Sequence, residues 1–145
     1  MADVVSPEVR SRMMSGIRGK DTKPEMVVRR GLHARGFRFR LHDKRLPGKP
    51  DLVFPKYRAV IFVHGCFWHG HDCDLFKWPK TREAFWREKI NRNSERDRRT
   101  IGLLLGVGWS VKVVWECEVR QRVLADLEDE IAFWLTRDGV QKRCR

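Results

Sequence analysis

A chain of 145 residues fits one domain of common size, with room to bury a core without disulfide staples and none for a second large domain. Lys and Arg number 31 against 19 Asp and Glu, a formal net charge of +12 that points to a polyanionic partner. No stretch approaches the roughly 20 apolar residues of a membrane span, and "MADVVSPEVR" lacks an apolar core behind a basic head; the expectation is a cytoplasmic protein with no membrane partner.

In "SPEVRSRMMSGIRGK", Ser6 offers an N-cap, Pro7 the first helical position, and Val9, Met13 and Ile17 recur at four-residue spacing. This predicts a short amphipathic helix whose polar face, Arg10, Arg12, Arg18 and Lys20, is either an arm along DNA or a solvated face. "TKPEMVVRRGLHARG" predicts a second helix, with Thr22 and Glu25 at capping-box spacing, the Glu25 carboxylate accepting from the Thr22 amide, and Gly36 at its end. "FRFRL" alternates strictly and predicts a strand over residues 37–41. "LPGKP" is a turn before a second strand, "DLVF", and after "PKY" the apolar run "AVIFV" predicts a central strand buried on both faces.

From Thr81 helical spacing returns at Phe85, Trp86 and Ile90; Ser94 with Asp97 reads as the cap of a further helix, which Gly106 and Gly108 end. "WSVKVVW" then follows a helical crossover and is expected to run parallel to the central strand. A last amphipathic helix places Val123, Leu127, Ile131 and Trp134 on one stripe before a basic tail. The fold class is therefore α/β: a single domain, 1–145, with a small mixed central sheet flanked by helices, divided into a helical arm (1–20), a core (21–136) and a tail (137–145).

Four cysteines stand at 66, 73, 117 and 144, and without a secretion signal the close pair beside histidines reads as a metal site in preference to a disulfide. Structural zinc takes four thiolate or imidazole ligands. Cys66, His71 and Cys73 supply three, and Cys117, directly after a strand parallel to the one preceding that loop, is better placed than Cys144 to be the fourth. Buried free cysteines beside unrelated histidines are the bland alternative. A closed zinc site leaves His64 and His69 unassigned at the end of a central strand, where reacting groups gather in open sheets. Asp51 opens the adjacent strand and suits a hard cation such as magnesium; otherwise it is a turn residue. His69 could take a proton from an attacking water, oriented by Asp97, itself otherwise a helix cap.

"LPGKPDLVF", "VIFVHGCFWHGHDC", "FWREKINRNSERDRR" and "GWSVKVVWECE", in this order, resemble the very short patch repair endonucleases of bacteria over nearly the whole chain. The resemblance implies a restriction-endonuclease-like (PD-(D/E)XK-type) core with catalytic Mg2+ and structural Zn2+. It implies an enzyme that nicks one strand on the 5′ side of the thymine in a T:G mismatch left by 5-methylcytosine deamination. By position it implies zinc on Cys66, His71, Cys73 and Cys117, magnesium on Asp51 and the main-chain carbonyl of Val63, and His69 as general base supported by His64, Glu25 and Asp97. Phe67, Trp68 and Trp86 match a wedge that enters the duplex beside the mismatch, where unstacking costs least. On helical spacing alone Trp86 would be a core residue.

The resemblance further implies that Lys89 and Asn93 read the mispair and that Met14 and Ile17 let the N-terminal arm clamp the other groove. The partners implied are double-stranded DNA carrying a T:G mismatch, mismatch-repair proteins and a repair DNA polymerase, with the chain a monomer on the nucleoid. "FVHG" lacks the acid, spacer and lysine of the wider nuclease superfamily, which argues against the competing reading of a restriction-type enzyme cutting matched DNA. A zinc-stabilised DNA-binding module without catalysis is the other alternative; Asp51 and the spare histidines speak against it.

Overall fold

The computed structural model describes residues 21–143, with side chains to residue 137; Met14, Ile17 and the rest of the predicted arm lie outside the described residues. The elements are α1 (Lys23–Ala34), β1 (Arg40–Leu41), β2 (Leu52–Phe54), a 3-10 turn (Pro55–Tyr57), β3 (Ala59–His64), α2 (Glu83–Gly106), β4 (Ser110–Trp115), α3 (Glu116–Gln121) and α4 (Leu124–Arg143). This is a small α/β domain on a mixed four-stranded sheet in the order β1-β2-β3-β4. The first three strands form the expected antiparallel meander, and β4 joins β3 in parallel with His64 opposite Trp115.

α1 begins where Thr22 Oγ1 accepts the Glu25 amide at 3.4 Å. The reciprocal half of the expected capping box is not made: Glu25 Oε1 accepts from the Asp21 amide, one residue further out, at 2.9 Å. The helix ends as expected, with Gly36 at φ +96° and the Gly36 and Phe37 amides bonded to the carbonyls of His33 and Leu32. β1 is shorter than the alternation of residues 37–41 predicts. Phe37 and Phe39 do pack on the core, but the three-residue β2 offers a ladder only to Arg40 and Leu41, and His42 at φ +48° turns the chain away.

Strand alternation divides the core into two layers. Leu52, Phe54, Ala59, Ile61 and Val114 meet Val28 and Leu32 of α1 and Leu127, Ile131 and Leu135 of α4. Val53, Val60 and Phe62 face the other way against Leu104 of α2. β3 is thus buried on both faces, as its unbroken apolar run requires. Two expectations about the helices fail. α2 is one continuous helix of 24 residues, because no Gly or Pro interrupts it before Gly102 and because Ser94 and Asp97 turn their side chains to the β3–α2 loop instead of capping. The chain after β4 forms two helices: α3 takes up residues 116–121, Val123 precedes α4 and is exposed, Trp134 packs only partly, and Leu135 completes the buried stripe. α4 continues to Arg143, through the stretch read as a tail.

Candidate active site and metal centre

Because β2 is antiparallel to β3 and β4 is parallel to it, the start of β2 and the ends of β3 and β4 lie at one edge of the sheet. Asp51, His64, Trp115 and Cys117 meet there. Asp51 Oδ2 accepts the Val63 amide at 2.7 Å, and Oδ1 lies 3.9 Å from His42 Nε2. Burial pushes the Asp51 carboxyl up to about 6, with the charge of Glu25 adding to the rise, against the Val63 hydrogen bond and His42, which lower it.

The loop leaving β3 folds back through amide bonds from His69 to Gly65, Gly70 to Phe67 and His71 to Cys66. Gly70 sits at φ +63°, and a Cβ there would come within 2.8 Å of Ile90 Cγ2, so only glycine fits between loop and α2. This turn brings His69 onto His64: the rings stack at 3.8 Å, tilted by 1°. His69 Nδ1 meets Asp97 Oδ2 at 2.5 Å, and Ser94 Oγ donates to the His69 carbonyl at 3.1 Å. Trp115 stands edge-on to both histidines. Burial, then the charge of His69, pushes His64 down to about 4, so the stacked rings do not both carry charge near neutral pH. His64 Nδ1 is buried without a hydrogen-bond partner among the described residues.

Cys66, His71, Cys73 and Cys117 come together as their spacing suggests, their ligand atoms all within 4.8 Å of one another. His71 Nδ1 lies 3.6 Å from Cys66 Sγ and 3.5 Å from Cys117 Sγ, and its ring stacks on Trp115 at 4.0 Å. The first turn of α3 holds Cys117 here; its amide donates to Cys66 Sγ, and Glu116 Oε1 accepts the Cys66 amide at 3.3 Å. The three cysteines are free. Burial pushes the Cys66 thiol up to about 12 and raises that of Cys117. Three sulfurs and one imidazole in such surroundings suit a thiophilic dication, which stabilises the thiolate form.

Phe67, Trp68 and Trp86 pack edge to face, with centroids 5.2 Å, 5.5 Å and 5.9 Å apart. Trp86 is half-buried against the loop aromatics, not sunk in the core. Asn93 Nδ2 donates to the Trp68 carbonyl at 2.9 Å and so ties that cluster to α2. A cleft of about 1030 Å³ runs past these groups, lined by Phe67, Trp68, His64, His69 and Asp97 and by the basic side chains of Lys89, Arg92, Arg96 and Arg120. Glu25 lies behind this wall, 1 % exposed, and is hydrogen-bonded to His42, which in turn lies beside Asp51.

Four contributors escaped the sequence reading, Ser94, Trp115, Glu116 and His42, whereas Asp97 meets His69 as expected. Ser94 and Asp97 looked like a cap pair, and the i, i+3 spacing that suggests a cap also puts both on one helix face. Trp115 and Glu116 follow from parallel pairing with the end of β3, a signal present in the predicted register. His42 carries no sequence signal, since its placement depends on a left-handed backbone.

The family model described as DNA mismatch endonuclease Vsr matches residues 2–75. A Xanthomonas oryzae protein named "Type II nicking enzyme V.XorIIP" is 53% identical over 119 residues, 82% of this chain and 88% of that one. The "DNA mismatch endonuclease Vsr" of Escherichia coli is 48% identical over 143 residues, 97% of this chain and 92% of that one. A Neisseria meningitidis protein named "Type II nicking enzyme V.NmeAIP" is 47% identical over 124 residues, 86% of this chain and 89% of that one. With its family model spanning half the chain and a relative of this identity spanning nearly all of it, the chain belongs to the DNA mismatch endonuclease Vsr family.

Proposed function

We propose that this protein is a DNA mismatch endonuclease that nicks one strand on the 5′ side of the thymine in a T:G pair and so starts very short patch repair. The observation that carries the reading is the His69–Asp97 pair, stacked on His64 and facing a basic cleft beside the aromatic cluster. Its enzyme class follows from the family: relatives bear the names mismatch endonuclease and nicking enzyme.

Asp97 holds the proton of His69 at Nδ1, which leaves Nε2 as the acceptor for a proton from an attacking water. His64 keeps the ring plane fixed by stacking and, neutral above about 4, does not repel a protonated His69. Asp51 fits a hard cation: one oxygen accepts the Val63 amide, and the other lies 3.9 Å from Nε2 of His42. Asp51 and the Val63 carbonyl would hold magnesium, which stabilises charge developing on a phosphate oxygen. Cys66, His71, Cys73 and Cys117 would hold zinc, bracing the loop that carries both His69 and the wedge residues.

Phe67, Trp68 and Trp86 would enter the stack beside the mispair, with Lys89 and Asn93 against its displaced edges and Arg96 and Arg120 on phosphates. Met14 and Ile17, in the arm, would close on the opposite groove. The reading includes a restriction-endonuclease-like core, action as a monomer on bacterial chromosomal DNA in the cytoplasm, and hand-over to mismatch-repair proteins and a repair polymerase. Among the described residues no helix is long and apolar enough to cross a membrane. Mapping the cut on T:G and matched T:A duplexes tests it: the reading expects one nick, 5′ of the mispaired thymine. Linear product from matched plasmid would favour a restriction-type enzyme instead.

A further inference from the structure

Glu25 does not open onto the cleft. Its buried carboxylate accepts from the Asp21 amide at 2.9 Å, from Arg29 Nη1 at 3.1 Å and from His42 Nε2 at 2.7 Å. Since the carboxylate is the acceptor toward a cation and an amide as well, the proton of that third contact resides on His42 Nε2. The same Nε2 lies 3.9 Å from Asp51 Oδ1, the oxygen that remains after Val63 has taken Oδ2. His42 reaches both carboxylates because its backbone is left-handed, at φ +48°, while its amide still bonds the Asp51 carbonyl at 3.2 Å.

We propose that His42 is a positioning residue for the nicking reaction: Glu25 and Arg29 fix its imidazole, and its Nε2 edge sets the direction of Asp51 Oδ1 toward the cation. The proposal rests on the reading that Asp51 holds magnesium. A carboxylate anchored through one oxygen can still rotate about its last torsion, which is broad. Val63 fixes one oxygen, and a partially positive N–H beside the other restricts the swing without occupying the open side. The left-handed backbone is strained for a non-glycine residue and is retained where the surroundings over-determine it. Here the main-chain bond to Asp51 and the side-chain bond to Glu25 do so together.

The test compares His42→Gly and His42→Gln with the wild type. Glycine is the residue most at ease at this φ but has no side chain; glutamine is strained there but carries a donor of similar reach. Magnesium affinity is measured by calorimetry on the protein without DNA, alongside the magnesium dependence of nicking, T:G duplex affinity in magnesium-free buffer without chelator, and thermal midpoint. The glycine variant is expected to bind magnesium roughly tenfold or more weakly, the usual scale for a lost partner of a metal-binding side chain, with duplex affinity in magnesium-free buffer unchanged. The glutamine variant should recover most of the loss. Glycine at wild-type magnesium affinity, or glutamine as weak as glycine, would overturn the proposal; His42→Asn, also tolerated at positive φ, replaces glycine if that chain does not fold. A wild-type protein that binds magnesium without nicking T:G DNA would sink the functional reading and leave the calorimetric comparison to decide the role of His42.

Discussion

Nδ1 of His69 lies 2.5 Å from Oδ2 of Asp97, a bond that joins the loop after β3 to the middle of α2. Asp97→Asn should preserve the fold and T:G binding while losing the tautomer control the carboxylate supplies. Removal of general-base assistance typically costs a hundredfold to ten-thousandfold, so nicking under single turnover should fall by roughly that factor. A variant that keeps the wild-type rate would contradict the pairing's role.

Asp51 provides a pH test in magnesium-free buffer. Its carboxyl sits at about 6 in the folded protein against 3.8 in its ordinary state, so between these values the native chain holds a proton the unfolded chain has released. The stability it contributes is present below the lower value and lost as pH rises through about 6. Asp51→Asn cannot ionise and can still accept the Val63 amide. At pH 7 it should therefore be more stable than wild type by up to about 3 kcal/mol, the gap closing toward pH 4 in denaturant titrations. An Asn variant less stable at pH 7 would show that the buried charge is not the dominant cost.

The sulfur cluster predicts about one zinc per chain in purified material and a large fall in thermal midpoint on chelation, since structural zinc contributes on the order of 10 kcal/mol or more of apparent binding energy. Cys117→Ser should do the same, because Cys117 binds α3 to the loop through both its amide and its sulfur. Metal-free protein that melts unchanged would falsify the four-ligand assignment.

Trp68 and Asn93 should behave alike toward DNA for different reasons. Truncating Trp68 to Ala removes one wedge ring and should weaken T:G binding by about 1–3 kcal/mol, the scale of one base–aromatic contact. Asn93→Ala frees the Trp68 carbonyl from α2 and should weaken it in the same direction, with the loss confined to mismatched duplex. Equal loss on matched DNA would mean that both residues only support general binding.

What could be read from the chain was whatever depends on spacing. The alternation of "FRFRL", the unbroken run of β3 and the closing Gly36 gave elements, and Cys66, His71 and Cys73 within eight residues gave a metal cluster the fold brings together. What was not legible depends on how faces meet. Ser94 and Asp97 look the same whether they cap a helix or turn toward His69; only the packing of α2 on the loop decides. Glu25 reads as half of a capping box, yet burial beside Arg29 and His42 gives it other partners. Val123 falls outside the stripe because it precedes the first residue of α4, and Leu135 takes the buried position that the spacing assigns to Trp134.

The central claim is tested most directly by one end-labelled duplex carrying a single T:G pair, incubated with the protein with and without magnesium. The expected result is a single nick 5′ of the mispaired thymine, dependent on magnesium and absent from the matched T:A duplex. Cleavage of both strands, equal cutting of matched DNA, or no cut at all with magnesium present would contradict it.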